Sequence, residues 1–336
     1  MRRWVTLALV AAVAVTAALA GGRAAAAPGA SGFQACLVTD IGGLNDRSFN
    51  HDAYLGLLQA KKKLHIRTRV IQSKSPADYI PNLKSCVTQG AGVTIAVGFL
   101  MTDAIDAVGS AFPKDRFAIV DVDVATLKHH PKNVLGLIFK EQQAGYLVGY
   151  AAGLWAKDKG ANAVGSVGGL KIPPVDRYIA GFQYGAKKAF PGVTTLNDYS
   201  QDFVKQAKCK EAALNQIAQG SVVEFQVAGQ CGLGVLDAAH EKKVYGIGAD
   251  ADQGYLGSWV MTSALKRVDV SVYNAIKQAR GKGFRGGHND VFTAHNNGVG
   301  VGKWAKGVPA SIRKAVAQQY NLLKAGKIKG IPTTVK

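Results

Sequence analysis

The chain has 336 residues, of which 48% are hydrophobic and 19% are charged, and its formal net charge at pH 7 is +19. This length exceeds what one hydrophobic core usually organises and suits two domains of common size, each able to bury its own core. The positive charge would ordinarily favour nucleic-acid binding. The basic residues, however, are scattered over predicted surface helices without any recognised nucleic-acid motif, so we expect a solvated basic surface and no nucleic-acid partner.

The amino terminus has the pattern of a secretory signal peptide. Arg2 and Arg3 precede an uncharged apolar run at 4–20, and small residues follow, with Ala-X-Ala cleavage options that end near Ala27. A membrane anchor is the alternative, but the most apolar part of the run is short for a hydrocarbon layer of roughly 30 Å. The first cysteine, Cys36, lies in a predicted buried strand and not directly after the apolar run. We therefore predict an exported, unlipidated and soluble protein, in the periplasm or outside the cell.

A repeated pattern begins at Gly32, in which a short apolar strand is followed by a turn with Gly or Asp and then by an amphipathic helix. Alternation of this kind predicts parallel sheets with helices on both faces. In the first set, the predicted strands are 36–39, 68–72, 93–97 and 117–120, and the predicted helices are 48–63, 76–90 and 102–112.

A second set with the same alternation follows. Its predicted strands are 163–167, 194–199, 222–226 and 244–247, and its predicted helices are 176–190, 204–220 and 232–242. Two similar sets predict an α/β fold made of two Rossmann-like lobes with parallel sheets, joined by a hinge.

The C-terminal quarter has too few elements to form a domain of its own. It contains a predicted strand near Met261, a helix at 269–280, a strand at 291–294 and a last helix at roughly 309–324. We infer that the chain crosses back to complete the first lobe and then the second. The predicted organisation is a signal peptide at 1–27, lobe 1 at 33–135 plus about 264–290, and lobe 2 at 136–260 plus about 291–336.

The four cysteines, Cys36, Cys86, Cys209 and Cys231, would be oxidised in the compartment that a signal peptide implies. The sequence permits three pairings. One of them, Cys36 with Cys86 and Cys209 with Cys231, keeps each bond inside one predicted lobe and leaves the lobes free to move. A zinc site is disfavoured because the chain has no close Cys-X-X-Cys pair, and we predict no metal and no cofactor.

The loops that follow the predicted strands are the place to look for a site, because strand carboxyl ends in open α/β sheets form the binding crevice. After the first strand come Asp40, a two-glycine turn, and a helix start with Phe49 and Asn50. Phe49 is placed to face a cleft between the lobes. For Asp46 and Ser48, a role as helix cap explains the residue types at least as well as ligand contact.

Five segments of the chain resemble, in the same order, the signatures of the basic membrane protein (BMP) family of ABC-transporter solute-binding proteins, many of which are purine-nucleoside receptors. They are VTDIGGLNDRSFN at 38–50, EQQAGYLVG at 141–149, FQVAGQCGLGV at 225–235, GADADQ at 248–253 and TSALKRVD at 262–269. The resemblance spans essentially the whole mature chain. It implies a fold of the type I periplasmic-binding-protein kind and an ABC permease as partner, and we expect the protein to be a monomer.

Carried over position by position, the resemblance implies a pocket in which one aromatic ring from each lobe stacks on a planar base. The rings are Phe49 and Phe203, and stacking of this kind contributes ~1–3 kcal/mol per base. Asp40, Asn50 and Asp121 match first-lobe positions that hydrogen-bond the base, since a carboxylate accepts from N–H groups and an amide both donates and accepts.

The same resemblance assigns the ribose to residues of the second half of the chain. Asp250 and Lys266 match the ribose-binding positions, where a carboxylate accepts from vicinal hydroxyls and an ammonium donates to them. Gly229 would let the backbone approach the ligand closely. The alternative for Asp250 and Lys266 is a salt bridge near the hinge. The implied mechanism is closure of the two lobes around the ligand.

Competing functions are less well supported by the sequence. The chain has no Gly-X-Ser-X-Gly elbow, Walker loop or His-Glu-X-X-His, and its glycine-rich runs do not form a dinucleotide fingerprint. A site of stacking rings and neutral hydrogen-bonding groups suits binding without chemistry, so we predict that the protein is not an enzyme. A sugar or polyol ligand, or a signalling receptor of the same fold, remain the alternatives.

Overall fold

The computed structural model describes Met1 and residues 31–335, so the predicted signal peptide falls almost wholly outside the described residues. The strands in chain order are β1 (Ser31–Thr39), β2 (Ile66–Gln72), β3 (Val93–Val97), β4 (Phe117–Val120), β5 (Val134–Phe139), β6 (Ala163–Gly168), β7 (Thr194–Tyr199), β8 (Ser221–Val227), β9 (Tyr245–Asp250), β10 (Val260–Lys266), β11 (Asn289–Phe292) and β12 (Val299–Val301). The helices are α1 (Phe49–Leu64), α2 (Tyr79–Thr88), α3 (Thr102–Ala111), α4 (Glu141–Asp158), α5 (Pro173–Ala189), α6 (Gln206–Ala218), α7 (Gly232–Glu241), α8 (Val268–Arg280) and α9 (Ala310–Lys324).

The strands form two sheets of six with the same order of positions. One is ordered β2-β1-β3-β4-β5-β11 and the other β7-β6-β8-β9-β10-β12, and we call the units built on them lobe 1 and lobe 2. Neighbouring strands run parallel except for the pair β10 and β12 at one edge of lobe 2. The predicted α/β fold of two Rossmann-like lobes is confirmed.

The chain passes between the lobes after β5, after β10 and between β11 and β12. Helix α8 packs on α1 in lobe 1, whereas α9 packs on α4 in lobe 2. The predicted lobe boundaries fall inside β5, β10 and β11, because an apolar pattern does not reveal which sheet a strand joins or where it leaves that sheet.

The sequence pattern predicts neither strand β5 nor helix α4. Helix α4 is buried along most of its length and carries Gly145, Gly149 and Gly153 at four-residue spacing. A Cβ added at Gly145 would overlap the carbonyl oxygen of Tyr178, and one at Gly149 would overlap that of Phe182. These glycines allow the backbones of α4 and α5 to pack in direct contact. Because α4 is buried on most sides and interrupted by glycines, its sequence lacks the amphipathic pattern by which a surface helix is recognised.

The two disulfides each lie within one lobe. Cys36 in β1 is bonded to Cys86 in α2, and Cys209 in α6 is bonded to Cys231 at the start of α7, across sequence separations of 50 and 22. Of the three possible pairings, this is the one that does not tie the lobes together. Bonds closing loops of such lengths typically stabilise a domain by ~2–4 kcal/mol while leaving a hinge between domains unconstrained.

Candidate ligand-binding site

A cavity lies between the lobes, at the carboxyl ends of the strands of both sheets. All the residues predicted for the site line this one cavity, namely Asp40, Phe49, Asn50, Asp121, Phe203, Gly229, Asp250 and Lys266. The structure therefore brings together positions that are spread over more than two thirds of the chain.

Asp40 and Asn50 form a hydrogen-bonded pair on the lobe 1 side of the cavity. Asp40 Oδ1 accepts from the backbone N–H of Gly42 at 2.9 Å and from Asn50 Nδ2 at 2.8 Å. Burial raises the pKa of Asp40 to about 6, although these two hydrogen bonds oppose the shift. The left-handed Gly98, with a φ of 113°, leaves room beside Asp40 Oδ2, where a Cβ would lie only 2.7 Å away. Asn50 Oδ1 is buried without a hydrogen-bond partner, so both residues keep an acceptor oxygen for a ligand.

Phe49 is the first residue of α1, and the start of that helix is fixed by Asp46. The Asp46 carboxylate accepts from the backbone N–H groups of Ser48 at 3.1 Å, of Asn50 at 2.7 Å and of His51 at 3.0 Å. A side chain that satisfies three N–H groups at a helix start acts as a cap. Asp46 therefore positions Phe49 and Asn50, as the capping interpretation of the sequence predicts, although it also lines the cavity.

Phe203 lies on the lobe 2 side, in the loop between β7 and α6. Its carbonyl oxygen accepts from the backbone N–H of Cys231 at 3.0 Å, which ties this loop to the start of α7. A Cβ at Gly169 would overlap the Phe203 ring, and one at the left-handed Gly229 would lie 3.5 Å from the Phe203 carbonyl oxygen. Gly169 thus makes space for the ring, whereas a Cβ at Gly229 would be at ordinary contact distance and is disfavoured only by the left-handed backbone, with a φ of 55°. The wall around the ring is apolar and includes Ile172, Pro174, Val175 and Val227.

Asp121 and Asp250 occupy corresponding places in the two lobes, at the ends of the equivalent strands β4 and β9. Both have left-handed backbones, with φ values of 72° and 64°, a conformation that is uncommon outside glycine and often marks functional sites. Burial raises the pKa of Asp121 to about 6 and that of Asp250 to about 7, and Lys266 opposes both shifts. The Tyr178 hydroxyl lies 3.3 Å from Asp250 Oδ1 and helps to orient that carboxylate.

Lys266 is a buried lysine that connects the two lobes. Its Nζ lies 2.7 Å from the Asp121 carboxylate of lobe 1 and 3.1 Å from Glu141 Oε1. Burial alone would lower the pKa of Lys266, but Asp121, Glu141 and Asp250 outweigh it and raise that pKa. The Nζ atom also lies 4.9 Å from the centre of the Phe49 ring. Within the residues that the structure describes, Lys266 therefore forms its salt bridges with Asp121 and Glu141, and not with Asp250 as the alternative interpretation of the sequence predicts.

Several cavity residues are missed by the sequence interpretation. The strand-end rule points to the loops after β3 and β6, but the pattern does not say which of their side chains turn inward. These additional lining residues are Gly42, Gly98, Phe99, Leu100, Ile172, Pro174, Val175, Tyr178 and Val227.

Two features are absent from residues 31–335. No group of three or more His, Cys, Asp and Glu side chains is arranged there to hold a metal ion. None of the helices in that range combines the length and the apolar character that a membrane crossing requires.

Two Rossmann-like lobes that enclose a cavity, with the chain passing three times between them, form the type I periplasmic-binding-protein fold. The solved ABC transporter solute-binding protein from Aeropyrum pernix K1 matches this structure with a TM-score of 0.80 and 25% sequence identity, over 89% of this chain and 94% of that chain. A solute-binding protein from Conexibacter woesei matches with a TM-score of 0.72 and 24% identity, over 90% of this chain and all of that chain.

The chain belongs to the Bmp family, whose model, described as ABC transporter substrate-binding protein PnrA-like, matches residues 33–331. The ABC transporter nucleoside-binding protein BmpA of Lactococcus lactis is 32% identical, covering 94% of this chain and 95% of that protein. The CD4+ T-cell-stimulating antigen of Listeria monocytogenes is also 32% identical, covering 88% of this chain and 87% of that protein. The predicted family is confirmed, and the protein is a substrate-binding protein of an ABC transporter and not an enzyme.

Proposed function

We propose that this protein is exported as a soluble monomer, binds a nucleoside with a purine base in the interlobe cavity, and delivers it to an ABC permease. One observation carries the proposal: Phe49 of lobe 1 and Phe203 of lobe 2 line the same cavity, together with buried carboxylates of both lobes. The similarity to a relative named as a nucleoside-binding protein supports the same ligand class.

The base is assigned to the space between the two phenylalanine rings. Stacking on each ring contributes ~1–3 kcal/mol and tolerates any planar heterocycle. The free acceptor oxygens of Asp40 and Asn50 are then positioned to accept hydrogen bonds from N–H groups on the edge of the base, as guanine and hypoxanthine offer. Since Asp40 is deeply buried, an unpaired oxygen there is costly, which favours a base that donates.

The ribose is assigned to the group formed by Asp250, Lys266 and Gly229. The Asp250 carboxylate, oriented by Tyr178, accepts from the vicinal hydroxyls, and the Lys266 ammonium donates to one of them. Gly229 carries no side chain, so the backbone of its loop can approach the sugar. These contacts come mainly from lobe 2, whereas the hydrogen bonds to the base come from lobe 1.

Ligand binding and closure are one process in this proposal, because the ligand contacts both lobes at once only when they are closed. A ligand that contacts the closed state better shifts the population toward it. The permease then recognises the closed conformation, which the bound ligand stabilises.

The test is thermal stabilisation of the protein, without residues 1–27, by guanosine, inosine, adenosine, the free bases, ribose and common hexoses. A ligand that binds only the native state raises the melting temperature in a concentration-dependent way. We expect purine nucleosides to give the largest shifts, with smaller shifts from bases and ribose alone. Stabilisation by hexoses or polyols, without any by nucleosides, would instead support the sugar-binding alternative and refute this proposal.

A further inference from the structure

Glu141 is a fully buried carboxylate that lies behind the cavity and does not line it. It is the first residue of α4, directly after the chain leaves β5 and passes from lobe 1 to lobe 2. A buried charge without compensation is strongly destabilising, so the neighbours of such a carboxylate show what it is used for.

The two oxygens of Glu141 are divided between two cations. Oε1 lies 3.1 Å from Nζ of Lys266, and Oε2 lies 2.6 Å from Nε of Arg177 in α5. The Arg177 side chain is 21% exposed, while those of Glu141 and Lys266 are almost completely buried. Asp121 lies on the other side of Lys266, so that two carboxylates alternate with two cations in the order Asp121, Lys266, Glu141 and Arg177. The formal charges of these four side chains cancel.

We propose that Glu141, supported by Arg177, is a positioning residue that fixes the direction of the Lys266 ammonium toward the ligand. An ammonium group has three N–H donors. Nζ donates to Asp121 Oδ2 at 2.7 Å, whereas Glu141 Oε1, 3.1 Å from Nζ, is an ion-pair partner that accepts no hydrogen bond from residues 31–335. The two carboxylates hold the ammonium between them and so fix where its remaining donors point. Within residues 31–335, Lys266 is the only Lys, Arg or His that lines the cavity, so this part of the chain offers no second cation that could replace it.

Arg177 has a separate task in this arrangement. Without it, Glu141 would have both oxygens to offer to Lys266 and would draw the ammonium away from the cavity. Nε of Arg177 donates to Oε2 at 2.6 Å, so only Oε1 faces Lys266. The inference rests on the proposed function, because it assigns a remaining donor of Lys266 to a sugar hydroxyl.

The experiment compares the affinities of wild-type protein and Glu141→Gln for a purine nucleoside and for its free base, by isothermal titration calorimetry. We expect the nucleoside affinity to fall by about 10-fold and the base affinity by less than about 2-fold, because only the nucleoside uses Lys266. Equal losses for both ligands would show a merely structural role and overturn the proposal, as would unchanged affinities for both.

The matched control is Glu224→Gln, which changes another fully buried glutamate of lobe 2 that lies in β8 and does not line the cavity. We expect this variant to bind nucleoside and base as the wild type does. A loss of nucleoside affinity in this control as large as in Glu141→Gln would also overturn the assignment.

A ligand-free measurement separates this inference from the proposed function. With isotope-labelled lysine, we expect the Lys266 ammonium protons of the wild type to give a protected NMR signal, and Glu141→Gln to broaden or shift it. If the wild type binds no nucleoside, the proposed function fails, whereas this signal still tests the positioning. A Lys266 signal that is identical in the two proteins would overturn the inference even if nucleoside binding is established.

Discussion

The two walls of the cavity differ in chemical character although the lobes share one fold. Lobe 1 contributes three carboxylates and an amide, from Asp40, Asp46, Asp121 and Asn50, beside the apolar side chains of Phe49, Phe99 and Leu100. Lobe 2 contributes a mainly apolar surface, from Ile172, Pro174, Val175, Phe203 and Val227, with Asp250 and Lys266 at the ends of its central strands. Lobe 1 therefore presents more carboxylates than lobe 2, although the equivalent strands β4 and β9 each end in an aspartate.

This difference shows how one wall alters the chemistry of the other. The apolar surface of lobe 2 excludes water from the carboxylates of lobe 1, and burial raises the pKa of Asp40 and of Asp121 to about 6. Hydrogen bonds to buried charged groups are also worth more than those in water. In the proposed mechanism, closure makes the polar wall more selective, since a ligand that leaves its acceptors unpaired is penalised.

The largest expected effect comes from Asp250→Asn, which tests the polar group that lobe 2 adds to its apolar wall. Asn tolerates the left-handed backbone at this position but removes the charge. We expect nucleoside affinity to fall by about 100-fold, because hydrogen bonds from two hydroxyls to a charged group are weakened. Calorimetric titration measures the change, and Asp237→Asn, an exposed lobe 2 carboxylate that does not line the cavity, is the control. Equal affinities of Asp250→Asn and wild type would contradict the ribose assignment.

The next effect compares the two walls directly through Phe49→Ala and Phe203→Ala. If the base lies between the rings, each variant should lose about 10-fold in affinity for nucleoside and for free base alike, since stacking does not depend on the sugar. The corresponding Leu variants keep apolar volume without a ring and show how much of the loss is stacking. A loss in only one of the two Ala variants would mean that the ligand rests on a single wall.

The smallest expected effect is a pH dependence of binding that differs between the walls. Burial raises the pKa of Asp250 to about 7 and that of Asp40 to about 6. Both carboxylates accept from the ligand in their ionised forms, which predominate above these values. Nucleoside affinity should therefore fall by about 2-fold between pH 8 and pH 7, where half of the Asp250 carboxylate is protonated, and protonation of Asp40 adds a second decrease at lower pH. Asp250→Asn should remove the upper part of this profile and keep the lower part, and a flat wild-type profile would refute the role of both acids.

The stretch from Asp40 to Asn50 is the part of the site that the sequence predicts most directly. Its strand, two-glycine turn and helix start are local patterns, and the rule that strand carboxyl ends face the cleft places Asp40, Asp46 and Asn50 in the site. The capping role of Asp46 also follows from its position just before the helix. The lobe 2 positions Phe203 and Asp250 could be named only through the family resemblance, because nothing local distinguishes them from other loop residues.

The amino-acid sequence by itself determined the alternation of strands and helices, and with it the α/β class, because apolar periodicity is a property of a few neighbouring residues. Only the tertiary structure decided that Lys266 pairs with Asp121, a partner 145 residues away in the other lobe, and with Glu141. It also decided that the glycines of α4 form a buried helix against α5. Such choices depend on which surfaces meet when the lobes pack, and the free energy of that packing comes from residues that are distant in sequence.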